Sequence, residues 1–220
     1  MAGARSAPTL RFERSLLRSG AVALACIDEA GRGALCGPVS VGVVVITAGM
    51  SPAPRGVRDS KLLTRERRDE LAPLIRAWAP HAVGMATSAE IDDVGIVPAM
   101  RLAGRRAIAA LAVRPDCILL DGSHDYLSAP AQASLFDDDP GETVPRVLTR
   151  VKADLHCAGV AAASILAKTE RDAVMVGLDR DFPDFAWAEN KGYAAPEHMD
   201  ALRRLGPTPH HRVSWSLPVG

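Results

Sequence analysis

The stretch Val22–Gly33, VALACIDEAGRG, decides the fold. An apolar run from Val22 ends in two carboxylates, Asp28 and Glu29, and a glycine-rich turn follows. A run of that length bounded by a turn reads as a buried strand and its loop. Cys117–Asp121, CILLD, repeats the pattern, with Gly122 after the terminal aspartate. If the two strands are neighbours in one sheet, Asp28 and Asp121 meet at one end of it, where α/β folds place their sites. The alternative is that each aspartate only caps its own turn, as loop aspartates often do, and the acids never meet.

Outward from these strands, Val39–Thr47 (VSVGVVVIT) is β-branched and reads as a second strand beyond Gly37-Pro38. Thr64 is the expected N-cap of a helix over 65–78, and 81–87 is a third strand. A helix over 100–113 stops before Pro115. A short strand over 147–151, a long helix over 156–178 and a final helix over 197–205 complete the pattern. The acidic segment 123–145, with Asp137, Asp138 and Asp139, reads as an exposed loop carrying a hairpin. Early hairpins and later helical crossovers give an α/β domain with a mixed sheet. The expected division is a flexible extension over 1–20, a catalytic domain over 21–190, and a helical segment over 191–220 packed on it.

The 26 basic and 26 acidic side chains cancel, which argues weakly against a generic polyanion binder. The charge is unevenly placed, however. Residues 202–220 hold three arginines, two histidines and no acid, so a basic rim around an acidic centre is compatible with neutrality. No apolar run reaches the roughly 18 residues of a membrane span, and the arginine-bearing N-terminus has no secretory core. A cytoplasmic protein is expected, with Cys26, Cys36, Cys117 and Cys157 as reduced, buried thiols, because none has the C-x-x-C spacing of structural zinc.

Lys152-Ala153-Asp154 places a further acid at a strand end. Clustered carboxylates repel one another unless cations neutralise them. Hard oxygen ligands suit Mg²⁺ or Mn²⁺, and two such ions about 4 Å apart can activate a water on a phosphodiester. The residues alone leave Asp154 and Asp172 competing for the fourth place, although Lys168 at i−4 offers Asp172 an ion pair. In Gly31-Arg32-Gly33 the glycines allow close backbone approach to phosphate or ribose.

DEAGRG after an apolar strand resembles the signature of ribonuclease HII. The likeness continues through Asp59-Ser60-Lys61, Glu90-Ile91-Asp92, Leu120-Asp121-Gly122, Lys152-Ala153-Asp154, the helical segment Ala161–Lys168, Arg171-Asp172, Lys191-Gly192-Tyr193 and His210-His211-Arg212. These stand in the family's order from about Leu24 to Trp215. The resemblance implies an RNase H-like fold, with a central mixed five-stranded sheet flanked by helices and a helical C-terminal segment. It implies an enzyme that hydrolyses the RNA strand of RNA–DNA hybrids and cuts 5′ to single ribonucleotides in duplex DNA, leaving a 3′-hydroxyl and a 5′-phosphate; separately, a monomer is expected.

By motif, Asp28, Glu29, Asp121 and Asp154 look like the ligands of two divalent ions, Mn²⁺ or Mg²⁺. Asp28 and Asp121 are expected to share the metals, with Glu29 completing one coordination sphere and Asp154 the other. Gly31, Arg32 and Gly33 would read the ribose 2′-hydroxyl, and Tyr193 would pack on the sugar at the RNA–DNA junction. Lys61, Ser164 and Lys168 are candidate phosphate contacts. Ser164, Lys168 and Asp172 form a helical stripe expected to face the nucleic acid. Arg55, Arg58, Arg203, Arg204 and Arg212 read as solvated surface charges. Two departures from the family pattern, Ser123-His124 after Gly122 and Glu170 before Arg171, concern substrate grip rather than the acids.

Three rival readings fit the residues less well. Another two-metal phosphodiesterase would have no use for a ribose reader. A ribonuclease HIII-type enzyme would carry an extra N-terminal domain, for which the 27 residues before Asp28 leave no room. A duplex-binding module without catalysis would not keep all four acids.

Overall fold

Strands β1 (Ala23–Ala30) and β2 (Val39–Thr47) pair antiparallel, and β3 (His81–Ala86) adds antiparallel to β2. On the other side of β1, β4 (Cys117–Asp121) and then β5 (Arg146–Arg150) run parallel. The sheet is therefore mixed and five-stranded, in the order β3-β2-β1-β4-β5. This computed structural model describes residues 7–128 and 145–218. Most of the acidic loop, with its expected hairpin and Asp137–Asp139, lies outside the described residues.

The central strands are apolar on both faces because helices cover both. Leu24, Cys26, Val44 and Ile46 point into one core, shared with α2 (Arg65–Trp78) and α6 (Ala158–Asp179). Ala25, Ile27, Val41 and Val43 point into the other, against α4 (Ile96–Ala109). The Thr64 hydroxyl caps α2 by accepting from the Arg67 amide at 3.3 Å. Thr87 and Glu90 form a reciprocal capping box on α3 (Ser88–Val94). The long helix expected over 156–178 is broken at Cys157. A single turn, α5 (Ala153–His156), precedes α6, because Cys157 takes an extended φ of −108°.

The N-terminal segment is not a free extension over its described part. Helix α1 (Arg11–Arg18) packs Phe12, Leu16 and Leu17 against the first core, behind a buried Leu10. Its Glu13 is fully buried and accepts from the Gly159 amide at 2.8 Å, in the first turn of α6. A stripe of apolar residues and a carboxylate at a helix N-terminus explain the docking. At the other end of the chain, α7 (Trp187–Asn190) and α8 (Pro196–Leu205) close a third core of Cys36, Met175, Trp187 and Leu202. All four cysteines are buried and free.

Candidate active site

Parallel pairing of β1 with β4 runs from Leu24–Cys117 to Ile27–Leu120, so the next step sets Asp28 beside Asp121. Asp154 arrives from β5. Lys152 turns the chain through a left-handed φ of 58°, and Asp154 stands in the first turn of α5. Asp121 Oδ1 accepts from the Ala153 amide at 2.6 Å, tying that turn to the strand end. Carboxylate oxygens of Asp28, Asp121 and Asp154 all lie within 4.8 Å of one another.

Burial, then Glu29 and Asp121, push the Asp28 carboxyl well above the carboxylate range, against the pull of the nearby Ser164 hydroxyl. Burial and the charges of Asp121 and Asp59 push Asp154 up to about 6. Asp28 Oδ1 accepts from the Glu29 amide at 2.8 Å, whereas Oδ2 is buried without a hydrogen-bond partner. A solvent-poor carboxylate oxygen facing two further carboxylates is a costly arrangement that a cation relieves. The donors are all oxygen, which suits a hard divalent ion.

Glu29 is not part of this trio. Strand alternation sends it to the opposite side from Asp28, where it lies 3.8 Å from the exposed guanidinium of Arg32. The structure thus gathers three of the four expected acids and leaves the fourth at the rim.

The expected phosphate contacts divide. Asp59 accepts from the Lys61 amide at 2.9 Å, and this turn brings Lys61 toward the acids. Burial works against the Lys61 ammonium, but Asp28, Asp59, Asp154 and Glu29 outweigh it and raise its pKa. Ser164, by contrast, is buried behind Asp28, with its hydroxyl 2.8 Å from that of Ser60. The Lys168 ammonium is tied to Asp172 at 2.7 Å, and Asp172 also receives Arg68 at 3.2 Å. The stripe of Ser164, Lys168 and Asp172 therefore faces Ser60 and α2, not an open surface, because buried polar groups need partners. Glu170 pairs with Arg76 of α2 at 3.1 Å.

The Gly31–Pro38 loop is held from beneath by two arginines. Arg212, fully buried, donates to the carbonyls of Gly31 (2.7 Å), Arg32 (2.9 Å) and Gly37 (3.0 Å). Arg171, also fully buried, donates to Cys36 (3.0 Å), Pro38 (3.0 Å) and Lys191 (2.8 Å). The reading of Arg212 as a surface charge is thereby corrected: its fork is spent on three loop carbonyls. Burial and the neighbouring Arg171 push its pKa down to about 10. The Leu35 amide donates to Gly192 at 2.9 Å, which joins this loop to the half-exposed Tyr193. Arg171 and Lys168 lie over the Tyr193 ring, 5.2 and 5.4 Å from its centroid.

The family model described as Ribonuclease HII matches residues 25–217. The chain belongs to the ribonuclease HII family. A ribonuclease HII of Streptomyces coelicolor is 47% identical over 211 residues, covering 95% of this chain and 84% of that one. One from Paracoccus denitrificans is 44% identical over 209 residues, covering 95% and 92%. Among solved structures, ribonuclease H2 from Pyrococcus horikoshii matches with a TM-score of 0.68 at 26% identity, over 90% of this chain and 95% of that one. Bst-RNase HIII in complex with Mn²⁺ shares the fold, with a TM-score of 0.66 at 21% identity, over 90% of this chain and 68% of that one. Membership in the ribonuclease HII family makes the protein an endonuclease of the ribonuclease H class.

Several groups around this ribonuclease HII site carried no role in the sequence reading. Tyr126 is buried with its hydroxyl unpartnered, close enough that burial and then the charges of Glu29, Asp28 and Asp121 raise its pKa. Its only signal was its rarity, as one of two tyrosines. His198 and His211 are buried together, Nε2 to Nε2 at 3.0 Å. His211 Nδ1 accepts from the Thr208 amide at 2.9 Å, so its Nε2 carries the proton and donates to His198. His198 Nδ1 then donates to the Tyr193 carbonyl at 2.8 Å. Burial, then the neighbouring His198, push His211 down to about 4. The motifs Arg171-Asp172 and His210-His211-Arg212 were visible in the sequence, but no periodicity says what a buried arginine or histidine will touch.

The two glycines of the signature differ in what a side chain would meet. Gly31 has φ +83°, and a Cβ there would stand 2.0 Å from Arg171 Nε, whereas a Cβ on Gly33 meets nothing within 4 Å. Gly31→Ala is expected to cost about 2 kcal/mol or more in a urea melt. Gly33→Ala should melt like the wild type while weakening cleavage. An unchanged cleavage rate for Gly33→Ala would show that nothing approaches that Cα closely.

Proposed function

We propose that the protein hydrolyses the RNA strand of RNA–DNA hybrids and cuts duplex DNA on the 5′ side of a single embedded ribonucleotide. The products would be a 3′-hydroxyl and a 5′-phosphate. The observation that carries this reading is the Asp28–Asp121–Asp154 trio, with Asp28 and Asp154 buried, set at the start of the Gly31–Pro38 loop. Mn²⁺ or Mg²⁺, two ions in the working complex, would be held by Asp28, Asp121 and Asp154, with Glu29 from the rim. When bound, such ions supply a water of lowered pKa and stabilise the leaving oxygen.

The chain's own groups do the rest. Asp28 Oδ2 offers an uncommitted lone pair, and the acids need the dications to remain ionised together. The Lys61 ammonium adds a fixed positive charge beside the cluster, placed for a phosphate. Arg212 draws the Gly31 and Arg32 carbonyls inward, leaving the open side of the loop for the ribose. Its 2′-hydroxyl distinguishes RNA from DNA at one nucleotide. Tyr193, joined to that loop through Gly192 and backed by two cations, offers a ring face of limited freedom for the sugar at the junction.

The test is cleavage of a DNA duplex containing one ribonucleotide, with Mn²⁺ or Mg²⁺, beside an all-DNA duplex and a long hybrid. A metal-dependent cut 5′ to the ribonucleotide, absent from the all-DNA duplex, is expected. Tyr193→Ala should lose the single-ribonucleotide cut more than cleavage of the long hybrid. Cleavage of the long hybrid alone by the wild type would remove the junction reading and keep the ribonuclease.

A further inference from the structure

We propose that the groove between helix α1 and the 52–57 segment is a second nucleic-acid site, which grips duplex phosphates beyond the active site. The proposal rests on the reading of the protein as a duplex-cutting ribonuclease.

Arg11, Arg14 and Arg18 are spaced i, i+3, i+7, so they share one face of α1. The opposite side of the helix is fixed by the packed Phe12, Leu16 and Leu17 and by the buried Glu13 on the Gly159 amide. The arginines therefore stand on a rigid element. They border a groove of about 660 Å³, with Arg55 across it on a Pro- and Gly-containing loop, and among the described residues no carboxylate lines it. Arg14 Nη2 donates to the Met50 carbonyl at 3.1 Å, which restrains that side chain. Among the described residues, none of these four arginines is in an ion pair. On a chain with no net charge, four unneutralised cations around one hollow are a local excess that an anion would balance.

The groove also continues toward the acids. A second hollow of about 320 Å³ shares Pro8 with it and is lined by Arg58, Lys152 and His156 beside Asp59. Lys152 stands two residues before Asp154, and Asp59 caps the turn that carries Lys61. A basic track thus leads from the site of cleavage to α1. From Arg11 to Arg18 the helix rises roughly 10 Å, the axial length of about three phosphates of one strand. A lone phosphate or a lipid headgroup needs only one such pocket, whereas a row of this length matches a polymer of phosphates.

Binding is measured by fluorescence anisotropy without divalent metal, so that it does not depend on turnover. The probes are duplexes of about one and about three helical turns, each with a central ribonucleotide. The wild type should prefer the longer duplex. In R11Q/R14Q/R18Q that preference should fall about 10-fold, and the slope of log Kd against log salt should flatten by about 2 to 3. R11K/R14K/R18K should keep the slope, since charge is what the track supplies. Retention of both preference and slope by the glutamine variant overturns the proposal. So does an equal loss on both lengths, which would mean that the arginines support the fold or the cleavage site instead. Cleavage of the same duplexes with Mn²⁺ tests the ribonuclease reading separately.

Discussion

Asp28→Asn is expected to reduce metal-dependent cleavage by about 10³-fold or more while raising the melting temperature of the metal-free protein. The two effects have one cause. Asp28 is buried against Asp121 and Asp154, so its charge is costly in the free protein and useful only when a cation is present. Asparagine keeps the shape and removes that charge. Stability should follow pH in the same sense. Asp154 has a folded pKa of about 6, above its ordinary value of 3.8. Its contribution is fully present below about pH 4 and is lost as pH rises through 6. Metal-free wild type should therefore melt lower at pH 7.5 than at pH 5, and Mn²⁺ should restore most of the difference, because ions bind the deprotonated carboxylates. The measurement is a set of thermal melts of both proteins at the two pH values, with and without Mn²⁺. Equal melting of metal-free wild type and Asp28→Asn at pH 7.5 would show that the acids are not in conflict.

Arg212→Met should cost roughly 2–4 kcal/mol of stability, lowering Tm by about 5–15 °C. The Arg32 and Gly37 carbonyls lose the Arg212 donor and Gly31 keeps only the Ala34 amide at 3.3 Å, in a place where water does not reach Arg212 at all. Part of this is offset, because Arg212 and Arg171 are like charges buried together, and removing one relieves the other. Arg212→Lys keeps the charge but cannot fork to three carbonyls, so it should retain less than half of the lost stability. The functional readout is the ratio of single-ribonucleotide cleavage to long-hybrid cleavage, measured well below the variant's Tm. A loop freed from Arg212 should lower that ratio, since the loop is what would read the ribose. If Arg212→Met melts within 1 °C of the wild type, the fork is not holding the loop.

The strands that carry the site were legible in the sequence because they are buried on both faces and bounded by strong turn signals. Runs such as VSVGVVVIT and CILLD have no other stable use, and their bounds match β2 and β4 residue for residue. The pairing of Asp28 with Asp121 was legible on one condition, that β1 and β4 be neighbours, and the parallel register meets it. The family could be read as well, since nine short motifs in order constrain one another.

Tertiary structure alone decided what the isolated polar residues do. Period-2 alternation sends Glu29 away from Asp28, but only the observed faces show that this removes it from the trio. Ser164 looks like a ligand on a helical wheel and proves to be buried, because the Ser60 turn covers that face. Arg212 looks like a surface charge because arginine usually is one, and its burial, like that of Arg171, depends on loop carbonyls that meet them from elsewhere in the sequence, 175 and 135 residues away for Gly37 and Cys36. Hydrophobic pattern is a local property that a sequence states directly. The partner of a buried polar group is a long-range one, fixed only when the chain has closed around it.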